Sequence, residues 1–291
     1  VHATPLSIII LHHNRKAALR RTLIELASQG LLDAAQIIVV DNASSDDAMA
    51  MVREDFPEVQ VVALGENVGV AGFNRGAERA TRDRLLILDD DSWPDEHSLE
   101  QAMRLLDERP AVAAVALLPV HPKSRKPEWP QLTSPQDDWP VMGCANLVRT
   151  KTWREVGGYE ETFFLYRNDT DLAMKILALG GRVAADPAWF AWHDSPAAAR
   201  KSERWLHLAT RNWVWLARRH GRGLAKPLGI LAAVVWAFVL AGLSRVRLAA
   251  VLRGAHEGML SPRPPLPRGL RTSGDPFARL LRLQFLAFAR R

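Results

Sequence analysis

The apolar run Leu85–Leu88 stops at three consecutive aspartates, Asp89, Asp90 and Asp91. Three adjacent carboxylates repel one another, so something of opposite charge is expected beside them. A solvated turn or a helix cap is the plainer account, and Asp95, just after Pro94, can supply that cap by itself. A divalent cation explains the triplet more economically. Hard carboxylate oxygens suit Mg2+ or Mn2+, above all where phosphates complete the shell. Alternate residues of a strand face the same way, so Asp89 and Asp91 can reach one ion while Asp90 points elsewhere, toward a ribose or a neighbouring backbone group.

The elements that would hold such a site are legible upstream. Leu6–Leu11 (LSIIIL), Gln36–Asp41 (QIIVVD), Val59–Leu64 (VQVVAL) and Leu85–Leu88 read as buried strands. Between them lie a helix closed by Gly30, a helical stretch from Asp46 to Phe56, and a helix over Val70–Thr81 after a glycine-bearing loop. Strand and helix alternating at this spacing predict an α/β fold with a parallel sheet covered on both faces. Ligands of such sheets sit at the carboxyl ends of the strands, near a switch point. Three strand ends carry polar clusters: His12-His13-Asn14, Asp41-Asn42-Ala43-Ser44 and the aspartates. They are expected to converge on one sheet edge.

The proline-rich segment 119–140 reads as a long loop offering Trp129 and Trp139 as stacking platforms for a sugar or an acceptor. Cys144–Arg149 then reads as a strand, Asp169–Leu179 as a helix ended by Gly180-Gly181, and 194–220 as largely helical. The single cysteine, Cys144, excludes an intrachain disulfide and fits a reducing compartment. Its apolar setting reads as packing, and no serine or cysteine nucleophile stands out. No secretory signal is expected from the opening residues.

Several segments in order, VVDNASSD (39–46), GENVGVAGFNRG (65–76), LLILDDD (85–91), EVGGYEETFFLYRNDTDLAMKILALGG (155–181) and AWHDS (191–195), together resemble a family 2 glycosyltransferase. They most resemble the rhamnosyl- and galactofuranosyltransferase-like branch, and the likeness covers about residues 6 to 220. It implies a GT-A fold, a nucleoside-diphosphate sugar donor, UDP- or dTDP-linked before others, and an acceptor that is a glycan or is lipid-linked. By this resemblance Asp41 recognises the base, and Asn67, Gly69 and Asn74 line the nucleotide pocket. Asp89 and Asp91 bridge the ion to the diphosphate, and His193 completes the metal shell. Asp169 is the catalytic base, taking the acceptor proton in a single inverting displacement. The family's usual Glu-Asp-x-Asp is Asn168-Asp169-Thr170-Asp171 here, so the base lacks a neighbouring negative charge and should titrate lower than in relatives that keep it. Asn168 or Asp169 also reads as the N-cap of the following helix. Gly157-Gly158-Tyr159-Glu160 resembles the family's Gly-Gly-Phe-Asp element and offers Tyr159 and Glu160 as acceptor contacts.

Charge divides the chain. Residues 1–199 hold 20 Lys+Arg against 29 Asp+Glu, and residues 200–291 hold 18 against 3. The basic end prefers polyanions. Residues 227–244 form an uncharged run of 18, short of the length that spans a bilayer comfortably. This run is expected either to lie in a membrane interface, with the basic RVRLAAVLRG as its partner, or to pack as buried helices on the catalytic domain. We expect a catalytic domain over 1–220, a helical basic region over 221–291 with a proline-rich linker at 261–276 and a last helix at 277–291, and peripheral attachment at the inner face of the cell membrane. Cell-surface polysaccharide or glycolipid synthesis is the implied setting. The rival classes are a nucleic-acid binder, disfavoured because no recognised motif accompanies the arginines, a nucleotidyltransferase or sugar-nucleotide hydrolase on the same metal site, disfavoured because HHNRKAAL lacks the glycine-rich phosphate loop, and an inactive scaffold, disfavoured by the retained acids.

Overall fold

The apolar segments pair as their composition requires. The computed structural model describes residues 5–129, 131–195, 202–266 and 276–289. In chain order β1 (Leu6–His12) leads to α1 (Lys16–Ser28) and the single turn α2 (Leu31–Ala34), then β2 (Gln36–Asp41), α3 (Ala48–Asp55), β3 (Gln60–Ala63), α4 (Ala71–Arg79) and β4 (Arg84–Asp89). Gly30 stands at φ 67° between the first two helices, the left-handed geometry that glycine adopts without steric penalty. There follow β5 (Ser92–Pro94), α5 (Glu96–Glu108), β6 (Val112–Ala116), β7 (Leu118–Val120), β8 (Ala145–Arg149), α6 (Thr150–Val156), α7 (Asn168–Ala178), β9 (Arg182–Ala184) and β10 (Phe190–His193). The C-terminal part is helical: α8 (Glu203–His220), α9 (Ala225–Ala241), α10 (Arg245–Leu260) and α11 (Pro276–Ala289). The expected helix from 194 begins only at Glu203, and residues 196–201, like 267–275 of the expected linker, fall outside the described residues.

The main sheet has seven strands in the order β3-β2-β1-β4-β8-β6-β9. Its first four strands are parallel, as the alternation predicted. The second half departs from that expectation: β8 runs antiparallel to both β4 and β6, so the sheet is mixed. Strand order reverses at β1, between β2 and β4, which is where a ligand crevice belongs. In the parallel registers His12 lies opposite Asp41, and Leu11 opposite Asp89. The three polar clusters therefore share one edge.

A second, three-stranded sheet, β5-β10-β7, was not legible because its strands are only three or four residues long. It matters for the site. Antiparallel pairing sets His193 opposite Ser92, and the Asp194 amide donates to the Asp91 carbonyl at 2.9 Å. That pairing carries the histidine to the aspartates across about a hundred residues of chain.

Buried apolar residues cover both faces of the main sheet, one cluster against α1, α3 and α5, the other against α4, α6 and α7. A third cluster joins Phe163 and Met174 to Trp213, Leu216, Ala233 and Phe277, so packing runs continuously across residue 220. α8 is the hub of the C-terminal helices, with α9, α10 and α11 all against it. These helices approach closely because the contacts are small: a Cβ on Gly229 would stand 2.2 Å from the Phe277 ring, and one on Gly254 2.3 Å from the His207 carbonyl oxygen.

Candidate active site

Two carboxylates and an imidazole meet at the sheet edge. Asp89, Asp91 and His193 each present a ligand atom within 4.8 Å of the others. His193 Nε2 stands 3.5 Å from Asp91 Oδ1. Its Nδ1 donates to Glu128 at 2.5 Å, since a carboxylate can only accept, and this leaves Nε2 turned to the aspartates. Asp91 Oδ1 is buried without a hydrogen-bond partner. An orphaned carboxylate oxygen beside an oriented imidazole is a donor set that fits Mn2+ or Mg2+.

The electrostatics agree. Burial, then the charge of Asp91, pushes Asp89 up to about 7. Burial would also raise Asp91, but the imidazolium of His193 and the guanidinium of Arg15 outweigh it and hold Asp91 at about 2. For His193, burial disfavours charge, yet Asp91 and Glu128 together raise it to about 10. The negative charge of the cluster is thus balanced by protons and by Arg15.

Asp90 corrects an expectation. It points away from the cleft, is buried, and accepts from His12 Nδ1 at 3.0 Å while Arg15 Nη1 stands 2.9 Å from its other oxygen. Both of its oxygens are engaged by side chains of the fold. His12, fully buried, also faces Asp46 through Nε2 at 3.4 Å, and these carboxylates overcome burial to raise its pKa. Arg15 reaches both Asp90 and Asp91 from the start of α1. The HHNR cluster was visible as a strand end, but nothing in its spacing assigned His12 and Arg15 to these partners.

The nucleotide-side residues are arranged mostly toward backbone. Asp41 is buried and accepts from the Ser44 amide at 3.0 Å through one oxygen. Asn67 Oδ1 accepts from the Gly69 amide and from Asn42 Nδ2. Gly69 stands at φ 60°, and a Cβ there would lie 2.1 Å from the Phe164 carbonyl oxygen. Its glycine identity is explained by that approach of two loops. Asn74 does not face a pocket: its amide brackets Tyr159, donating to the carbonyl and accepting from the amide, both at 2.9 Å.

The four acceptor-side residues are also placed differently from expectation. Trp129 and Trp139 are 9% and 1% exposed and lean on each other, centroids 6.2 Å apart, inside the second apolar cluster. The proline-rich segment is folded down over them, so they fill core volume and cannot stack on a sugar. Trp139→Ala should therefore cost roughly 3–5 kcal/mol of stability in urea unfolding, where a surface platform would show little change. Tyr159 is equally buried, packed edge-on to Phe73 and Trp153. Glu160 is tied to Arg219 at 3.0 Å and caps Thr162.

The expected base opens α7. Asp169 is half-buried, and burial raises it to about 6 against the opposing charge of Arg167. The helix cap is neither Asn168 nor Asp169 but Arg167, in a left-handed conformation with no side-chain cap bond. Burial first, then the charges of Asp169 and Asp89, pushes the Tyr159 phenol well above its ordinary value. Asp171 is not at the surface of the cleft. It is fully buried, accepts from His220 Nε2 at 2.7 Å, and lies 3.5 Å from the buried Lys175 Nζ. Burial would raise it, but the charge of Lys175, the hydrogen bond from His220 and the charge of Arg219 keep it well below the usual carboxylate range.

The family model that matches this sequence is Glycosyl transferase family 2, over residues 7–173. The chain belongs to glycosyl transferase family 2. No curated protein is a significant match. Among solved structures, the mannosyltransferase PcManGT from Pyrobaculum calidifontis, in complex with GDP-Man and Mn2+, is 20% identical with a TM-score of 0.60, covering 100% of this chain and 82% of that one. S. aureus TarS 1-349 in complex with UDP-GlcNAc is 14% identical with a TM-score of 0.64, covering 87% and 81%. At these identities the likeness establishes the GT-A fold. Within the family match lie Asp41, Asn67, Gly69, Asp89, Asp91 and Asp169; His193, Arg211 and Asn212 lie beyond its last residue.

Proposed function

We propose that this family 2 member is an inverting, metal-dependent glycosyltransferase that moves a hexosyl or deoxyhexosyl group from a UDP- or dTDP-linked donor to an acceptor hydroxyl. The observation that carries the reading is the meeting of Asp89, Asp91 and His193 at the switch point, with Asp91 Oδ1 buried, without a hydrogen bond, and His193 Nε2 at 3.5 Å. The resemblance to the rhamnosyl- and galactofuranosyltransferase-like branch supports a glycan or lipid-linked acceptor. Synthesis of cell-surface polysaccharide or glycolipid at the inner face of the membrane is consistent with it. The Mn2+ and the sugar nucleotides in the names of the solved neighbours support the cofactor and the donor class.

Asp89, Asp91 and His193 Nε2 would hold the divalent ion, which when bound offsets the charge growing on the departing diphosphate. The chain's own groups do the rest. Arg15 keeps a part-exposed guanidinium beside Asp91, where it could also meet a diphosphate. Glu128 fixes the His193 ring, and His12 with Arg15 locks Asp90 so that the two ligand aspartates face outward. Asp169 accepts the acceptor's hydroxyl proton as its oxygen attacks the anomeric carbon. The new carbon–oxygen bond forms as the bond to the diphosphate breaks, and the nucleoside diphosphate leaves with the electron pair. One displacement inverts the configuration.

Calorimetric titration of UDP, dTDP and GDP tests the reading. Binding of one nucleotide is expected with Mn2+ and lost with EDTA, and Asp91→Ala should weaken it more than about 100-fold. The protons on Asp89 and His193 must leave as the ion enters, so metal affinity should climb with pH, most steeply below about 7 and less steeply from there toward about 10. Absence of binding by all three nucleotides in Mn2+ would reduce the assignment to fold and family.

A further inference from the structure

The side chains of α9 are distributed against the usual rule. Its fully buried positions are all small, Gly229, Ala233, Ala237 and Ala241, with Ile230 and Leu240 partly buried beside them. Its opposite face carries the large ones. Leu228, Leu231, Val235 and Val239 recur every three or four residues and form one stripe; Leu231 and Val239 are each 59% exposed. Leu224 before the helix and Leu243 after it, 98% exposed, extend the ridge. The small face is explained by close packing: the Trp213 indole donates to the Gly229 carbonyl at 3.0 Å, and Phe277 fills the space beside it. The large face does nothing for the fold. A continuous exposed apolar ridge of this kind marks a surface that something covers.

Charge identifies the cover. Residues 221–256 contain Arg222, Lys226, Arg245, Arg247 and Arg253 and no acidic residue. Arg222 precedes the ridge in the chain, Arg245 with Val246 follows it, and Lys226 stands about half a turn round the helix from the stripe; all are exposed. On α10 Leu252 and Arg253 stand exposed side by side. A second copy of this chain would bring equal cations against these, which repel. An anionic lipid surface takes the apolar ridge and the flanking cations together. No described helix is long and apolar enough to cross a membrane. The mode is therefore in-plane.

We propose that α9, with the exposed face of α10, is a docking ridge that beds in the headgroup region of an anionic phospholipid leaflet. This deepens the proposed function, on which it rests only for the expectation that the acceptor is lipid-linked. α8, against which α9 and α10 pack, also holds the backbone just before Asp169, so a docked ridge would present the acceptor side of the cleft at a fixed height above the lipid.

Flotation of the full chain with vesicles of equal parts phosphatidylcholine and phosphatidylglycerol tests the ridge. The protein should float at low salt, and the bound fraction should fall about tenfold with phosphatidylcholine alone and in the double variant Leu231→Glu, Val235→Glu. Both positions are exposed, so the variant should keep its nucleotide binding in calorimetry. Three results would overturn the proposal: wild type left at the bottom of the gradient, a double variant that floats as well as wild type, or a dimer in light scattering that the two glutamates split. Flotation lost with nucleotide binding intact removes the ridge alone; nucleotide binding absent from a floating protein removes the donor site alone.

Discussion

Asp169→Asn should lower kcat by about 10^3-fold, within the usual reach of a general base, while leaving metal-dependent nucleotide binding unchanged. The carboxylate stands at the start of α7, and burial raises it to about 6 although Arg167 and backbone amides favour its charged form. A base must be ionised to accept a proton. The kcat of the wild type should therefore fall tenfold per pH unit below about 6 and level off above it, and the variant should lose that acid limb. The same shift has a consequence for stability. A carboxyl whose folded pKa is raised binds its proton more tightly when folded, so its ionisation erodes stability as pH rises from the unfolded value through about 6, and the loss stays constant above. The amide that replaces the carboxylate carries no charge to desolvate. The variant should be more stable than wild type at about pH 7.5 by on the order of 1–2 kcal/mol in urea unfolding, and equally stable near about pH 4. Gained stability with lost turnover is the signature of a group held at a cost for chemistry. A variant within about tenfold of wild-type kcat would remove Asp169 from that role.

The parts of this molecule that could be read from sequence are those governed by local pattern. LSIIIL, QIIVVD and LLIL are buried on both faces and show as unbroken apolar runs, so the parallel half of the sheet and its polar edge were evident. β8 was recognised as a strand, but its direction depends on partners β4 and β6, which no local pattern encodes. The short strands that bring His193 to Asp91 carry too few residues to show a period. Residue type also underdetermines direction. An Asn amide serves a ligand or a backbone equally well, and Asn67 and Asn74 turned to backbone. Trp129 and Trp139 sit among prolines and charges that read as surface, yet the loop folds them inward. Asp90 followed the pleat away from its neighbours as alternation requires, but its partners His12 and Arg15 are 78 and 75 positions away.

The least legible residue carries the last prediction. Asn212, fully buried on α8, donates to the carbonyls of Phe163, Leu165 and Tyr166 at 3.0, 2.7 and 2.9 Å. Its two amide protons are thus shared among three acceptors. Arg211 beside it donates to Phe163 as well, at 3.0 Å, and braces Asn212 Oδ1. The segment they grip is strained: Phe164, Tyr166 and Arg167 all have φ between 61° and 68°, a region non-glycine residues adopt at a cost of about 1 kcal/mol or more each. Left free, this turn would relax and carry Asp169 out of its half-buried place. It also touches the donor side, because the Phe164 carbonyl accepts from the Val70 amide at 2.7 Å next to Gly69. Asn212→Ala strands buried carbonyls and should cost roughly 2–4 kcal/mol of stability. In the fraction that stays folded, kcat should drop about 100-fold, because a small displacement of a base from its acceptor weighs that heavily. Asn212→Asp keeps the shape but can only accept, so it should fail as badly as alanine. A purely structural Asn212 would leave the pH profile alone. A positioning Asn212 will not: as Asp169 gains water, the acid limb of kcat should move from about 6 toward the ordinary carboxylate range. An unmoved limb in a folded variant of normal turnover would mean that the strained turn holds itself, and that α8 only packs against it.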